Sequence, residues 1–561
     1  MKNFFFLCLL NLVYFYQVFS QEKKEIKLIH ADFIHKNEKK SKFFIIGNVH
    51  FKYKKYHLFC DKAVYYKKND IFHGYGNIQF KSNENRIFSQ EIECSRKKKN
   101  IKITGKVVFF HHNIKITSNS IIYNYEKKIF QAIKNVVLHF KNEMKLSTNI
   151  LEYNIPKKFF IYKNGGSIFH GNCTIFSERG MFFPTEKKAE VKYNVKLLLH
   201  NYTILSNSIE YLLKKDEIHF ISPTVIEINK TNNFFYIRDG FFFPKKEVFL
   251  SKKYCIIHYN GKIVTGKYFF LNRRKKIGYI KNVIVEEKNK KTYFFGDEGY
   301  FDFVIGLFSF RKNSFFIKIF KNNFFYIHSD IINVYIKNNN VYLIKVLPVK
   351  SFFLNENIQG ISDYMEYKEI DKSIKFIGKP FFWIKNQQFN GDTVFFHLKK
   401  DFFLDSLKIL KNSLYIKKIN SIDFNQIQGE TMIGFFQEEN KLKKFFVKKN
   451  VKSIIYIYSS DKENKIINKS SCEFLSVNIE KGKEINKISC LDNTTSEVFF
   501  LKKESSTKKD ELKFFLPNFS WKEKEKPKNK KNFLLKKIKK YKKENIIERK
   551  KINKIKKIRF L

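Results

Sequence analysis

The residues that could do chemistry are few and scattered. Asp61, Asp239, Asp363 and Asp392 stand in small polar clusters in the middle of strand-like runs. Two carboxylates flanking a glycosidic bond would make such a cluster a sugar-cleaving site. Equivalent positions in neighbouring segments are Asn, Ser or Gly, so no pair is maintained along the chain. His111 and His112 occupy a polar turn and are not expected to form a ligand set. HExxH, GxSxG, the P-loop and a phosphate-binding GxGxxG are all missing, and the glycines of "GYGNIQF" lie inside a strand. The chain therefore reads as a non-enzyme with no catalytic residue, cofactor or metal.

Met1 and Lys2 precede an apolar run from Phe4 to Phe19, with Val18-Phe19-Ser20 before the charged "QEKKE". That layout predicts a cleavable export signal over residues 1–20, with an uncleaved anchor as the alternative. Large residues surround Cys8, which is no lipoprotein setting, and no later segment is long and apolar enough to span a bilayer. Export leaves Cys60, Cys94, Cys173, Cys255, Cys472 and Cys490 in a compartment that permits disulfides. Once the repeats are aligned, Cys60 and Cys94 fall too far apart to bridge, and Cys472 with Cys490 is the better pair. No CxxC spacing points to zinc.

A net charge of +55 with 17% aromatic residues and only 8 prolines argues for a folded, β-rich chain. The charge invites a polyanion or a membrane surface, although a coding bias toward Lys, Asn, Ile and Phe would also raise it. Lysines spread over turns, together with an export signal, argue against nucleic acid.

The elements that must position any site come from a repeat. "GNVHF" at Gly47 returns as "GNIQF" at Gly76 and "GKVVF" at Gly105, in steps of 29 residues. Each unit holds two long strands, such as Tyr56–Tyr66 and Ile71–Phe80, joined by short polar turns, and the result is an antiparallel meander. Both strands break in the middle, at glycines in one and at Cys60-Asp61, Ser118-Asn119-Ser120 or Ser206-Asn207-Ser208 in the other. The apolar columns on either side of the break, Leu58, Ile87, Ile116, Leu146 and then Ala63, Ile92, Ile121, Leu151, are offset by five residues, an odd number. A bulge or a passage between sheets must sit there. Val49, Ile78, Val107 and Val136, followed by Phe51, Phe80, Phe109 and Leu138, supply further apolar columns. The expected fold is all-β: an elongated array of antiparallel bent strands forming an open two-sheet β-jelly roll with an apolar trough.

The array is expected over residues 21–310, followed by an irregular connection over 311–350, a second β section over 351–500, and a C-terminal segment over 501–561. The last 40 residues hold 19 Lys and Arg against four Glu. They form either a solvated tail or an amphipathic basic helix facing anionic lipid.

"GNVHF…LFCDKAVYY…GYGNIQF…KITSNSIIYNYEKK" resembles the OstA-like repeat of the LptA family, and "GKPFFW", "QGETMIGFF" and "LPNFSWKEKEKP" resemble counterparts in its long soluble members. The likeness spans roughly residues 25–527, while the very basic composition and the tail after Pro527 depart from it. It implies a periplasmic protein that shields lipopolysaccharide acyl chains. Its partners would be other transport components at the inner and outer membranes and further copies of itself, head to tail. The implied lipid-binding residues are Val49, Phe51, Leu58, Ile78, Phe80, Ile87, Val107, Phe109, Ile116, Val136, Leu138 and Leu146. The competing reading is an exported structural or adhesive β-repeat protein with no lipid ligand.

Overall fold

Midway along each long strand the backbone turns a corner, and the corner selects its own residues. In the computed structural model, Ile46 pairs with Lys62 and Val49 with Cys60, so that Gly47 and Asn48 together oppose the single residue Asp61. This is a two-against-one bulge. Both residues of the wider side are left-handed, Gly47 at φ +79° and Asn48 at +47°. Glycine enters that region at no steric cost, and asparagine tolerates it better than most residues. The device recurs at Gly76-Asn77, Gly105-Lys106, Lys134-Asn135 and Tyr193-Asn194, each left-handed at both positions. The corner asparagine reaches the polar residue 16 positions back. Asn48 Nδ2 donates to Asp32 at 3.2 Å, Asn77 to Asp61 at 3.0 Å, Asn135 to Asn119 at 3.5 Å, and Asn194 to Glu178.

The structure describes residues 27–557 except 39–40, 54, 96, 125, 142, 321–323, 356, 400–401, 438–439, 459–463, 481–483 and 503–513. The expected export signal lies outside the described residues. Two compact units emerge, one running through Phe249 and taking up the chain again from Glu548, the other Leu250–Ile547.

In the first unit successive long strands pair antiparallel, Lys42–Tyr53 with Tyr56–Tyr66, then Ile71–Lys81, Asn85–Ser95, Asn100–His111 and Ile114–Asn124. The corner explains the odd offset of the apolar columns. In Tyr56–Tyr66, Leu58 and Cys60 point inward, Asp61 and Lys62 both point outward, and Ala63 is inward again. Pairing can also divide at the corner. Residues 144–148 of the strand Met144–Asn154 pair with Gly166–His170, whereas residues 152–154 pair with the separate strand Phe159–Tyr162. On that side the two arms of Met144–Asn154 have different neighbours, whereas Tyr56–Tyr66 keeps the same two neighbours along both arms. The last helical turns of the chain also lie in this unit. Glu548 is 2% exposed and accepts from Arg238 Nε at 3.2 Å and Nη2 at 2.5 Å.

The second unit uses the same corner. Lys312-Asn313, Lys411-Asn412 and Lys449-Asn450 are left-handed pairs, and their asparagines donate to Asp297 at 3.4 Å, Asp392 at 3.1 Å and Glu430 at 3.0 Å. Within 311–350, expected as an irregular connection, residues 311–319, 324–337 and 340–350 instead belong to the long strands Leu307–Ile319, Phe324–Lys337 and Asn340–Leu354. Their alternation is blurred because both faces are covered. One face carries a row of rings, Phe294, Phe316, Phe325 and Phe352, with successive centroids 4.8–5.5 Å apart. The other carries Tyr293, Phe295, Phe315, Ile317 and Tyr326, and it is roofed by Leu534, Ile538 and Tyr541. These three belong to the helix Lys531–Lys556, so the basic tail is neither frayed nor solvated on its apolar side. Phe514 and Leu516 close a second patch formed by Leu414, Ile416, Ile454 and Ile467. The bridge expected between Cys472 and Cys490 is present, with Cα atoms 5.9 Å apart. Cys60, Cys94, Cys173 and Cys255 remain thiols, and burial pushes each up to about 12.

Candidate functional site

The carboxylates singled out in the sequence meet corner residues or a histidine. Asp61 and Asp392 accept from the corner asparagines Asn77 and Asn412. Asp363 faces the left-handed Gly378, where an added Cβ would lie 2.6 Å from its Oδ2, and its own N–H donates to the Gly378 carbonyl. Asp239 lies 3.4 Å from His219 Nε2.

The apolar columns are drawn together by register. Directly opposed pairs link Phe51 to Leu58, Leu58 to Phe80, Phe80 to Ile87, Ile87 to Phe109, Phe109 to Ile116, Ile116 to Leu138 and Leu138 to Leu146. The same line continues through Ile168, Ile175, Leu197, Ile204 and Ile226. Nearest the corner, Val49 faces Cys60, Ile78 faces Ser89, Val107 faces Ser118 and Val136 faces Thr148. Of the twelve residues named from the sequence, Phe51 is half-buried, and the other eleven are at most 5% exposed. Their interior is closed against water.

The second arm has its own line, which spacing revealed only in part. Ile45, Ala63, Gly74, Ile92, Ile103, Ile121, Ala132 and Leu151 are opposed in sequence across successive strands. Ile45, Gly74, Ile103 and Ala132 were missed as members. Each stands two residues before the first left-handed residue of its corner, namely Gly47, Gly76, Gly105 and Lys134. That offset is the signal that would have found them. Gly74 is a tight notch, since a Cβ there would meet Ile92 Cγ2 at 2.9 Å.

A separate cleft of about 1040 Å³ lies by the corners of the first unit, beside Asn135, Asn149, Lys163, Phe176, Glu178 and Asn194. Among the twelve named residues it touches only Val136.

Corner-bent antiparallel strands carrying paired internal apolar lines define a β-repeat scaffold. Residues 23–89 and 112–207 match the family model described as OstA-like protein. None of the curated proteins matches it. Among solved structures there is a similarity to LptH of Pseudomonas aeruginosa, described as the LptA homologous periplasmic component of the conserved lipopolysaccharide transport device. That match has 12% identity and a TM-score of 0.20, and it covers 21% of this chain and 94% of LptH. Among the described residues no helix is long and apolar enough to cross a membrane.

Proposed function

We propose that this chain binds lipopolysaccharide, sheltering its acyl chains between the two arms of the bent strands while the sugars stay in water. The observation that carries the reading is the unbroken line from Phe51 to Leu146, opposed across seven strand pairs. The OstA-like match, which takes in every member of that line except Phe109, supports it. An acyl chain would replace contacts between the arms, at little cost in apolar burial because the side chains exchange one hydrocarbon neighbour for another. Repetition of near-equivalent positions would let the lipid slide, with direction supplied by other transport components at the two membranes. The role is one of binding and transfer without catalysis, in the periplasm, with copies joining head to tail. Exposed Lys536, Lys539, Lys540 and Lys543 on the C-terminal helix favour contact with anionic headgroups.

A photo-crosslinking residue at Ile78 or Ile116 should capture lipopolysaccharide in cells, and depletion of the protein should make that lipid accumulate at the inner membrane. Capture only from outward positions such as Lys115 would overturn the proposal. The near-zero exposure of the interior favours a second reading, a structural β-repeat whose arms never part. It predicts no capture at any position and no lipid phenotype.

A further inference from the structure

Away from the apolar lines, two neighbouring turns bring together donors that are far apart in sequence. Residues 82–84 join the strands Ile71–Lys81 and Asn85–Ser95, and residues 112–113 join Asn100–His111 and Ile114–Asn124. Asn85 is register-paired with His111, which sets the turns side by side. There the ligand atoms of Glu84, His111 and His112 all lie within 4.8 Å of one another, with His112 Nε2 3.7 Å from Glu84 Oε2.

Three features go beyond a chance cluster. Glu84 Oε2 is shut off from solvent and has no hydrogen-bond partner, although a carboxylate oxygen removed from water needs a cation or a donor. His111 Nδ1 lies 2.8 Å from Oδ1 of Asn85, a residue only 2% exposed. A partner of this kind fixes the orientation of the ring, as in histidines held for a metal by an outer group. The spacing also fits. Bonds of about 2.0–2.2 Å around a tetrahedral zinc ion place ligand atoms about 3.3–3.5 Å apart. Small side-chain rotations on the two turns close the remaining gap.

We propose that Glu84, His111 and His112 bind a divalent transition-metal ion of the zinc class, with water completing the tetrahedron. The ion ties two adjacent hairpin turns together and neutralises the Glu84 carboxylate. His112 is exposed, so His112→Ala leaves the fold intact, which circular dichroism verifies.

The full-length protein, stripped with chelator, is titrated with Co²⁺ and read by visible d–d absorption, then competed with Zn²⁺. One equivalent should give a tetrahedral spectrum that Zn²⁺ erases. His112→Ala and Glu84→Gln should abolish it, and Asn85→Ala should weaken binding roughly 10- to 100-fold. A wild-type protein with no such band, or a band that persists in His112→Ala and Glu84→Gln, overturns the site.

Discussion

Gly76 sits at φ +72°, and a Cβ on it would fall 2.2 Å from the Asp61 carboxylate that accepts from Asn77. Gly76→Ala should therefore lower stability by about 1–2 kcal/mol, the cost of a side chain in the left-handed region, read as a shift of the urea midpoint. The glycine bend was legible because glycine inside a strand signals a bend. The asparagine after it and the acid facing it were not, because their partnership spans 16 residues and depends on strand pairing. A second residue-scale case is Glu548. Burial alone would raise its pKa, but hydrogen bonds from Arg238 and Lys551, with Tyr236 nearby, pull it from an ordinary 4.5 down to about 2. A depressed carboxylate stabilises the fold above its unfolded pKa and loses that contribution as pH falls through the folded one. Thermal stability should decline between about pH 4.5 and 2, and Glu548→Gln should flatten that part of the profile, measured by melting at stepped pH.

At the scale of elements, the second unit shows what blurs a sequence pattern. Phe315-Phe316-Ile317 and Phe324-Phe325-Tyr326 are consecutive apolar triplets that break the alternation of a half-exposed strand. Buried on both faces, such strands read as continuous apolar runs. The amphipathic character of the C-terminal helix was visible, but its target was not, since the apolar face it covers is scattered over several strands. Leu534 is fully buried in that roof, where Tyr541 also donates to Glu286 Oε2 at 2.9 Å. Leu534→Ala should destabilise by about 2–5 kcal/mol, seen in denaturant unfolding. An unchanged midpoint would mean that the helix contributes little to the fold.

At the scale of the whole molecule, the repeat carried most of the architecture. Period, turns and column offset led to bent antiparallel strands and to one internal line. The second line stayed partly hidden because Gly74 and Ala132 do not look like a core, yet small residues there let the arms approach. A sealed core and a lipid-bearing one share the same alternation, and crosslinking from Ile78 and Ile116 separates them.

The two-against-one corner makes the chain modular by subtraction. Gly76–Thr104 is one full period of 29 residues, and its removal joins Tyr75 to Gly105, restoring a glycine-led corner with Leu58 facing Phe109 in place of Phe80. Such a deletion variant should fold cooperatively with two strands fewer, about 10 Å of stacking, checked by circular dichroism and a proportionally smaller urea m-value. Corners thus behave like links in a bracelet, and the protein's reach is a quantity that evolution can set by counting.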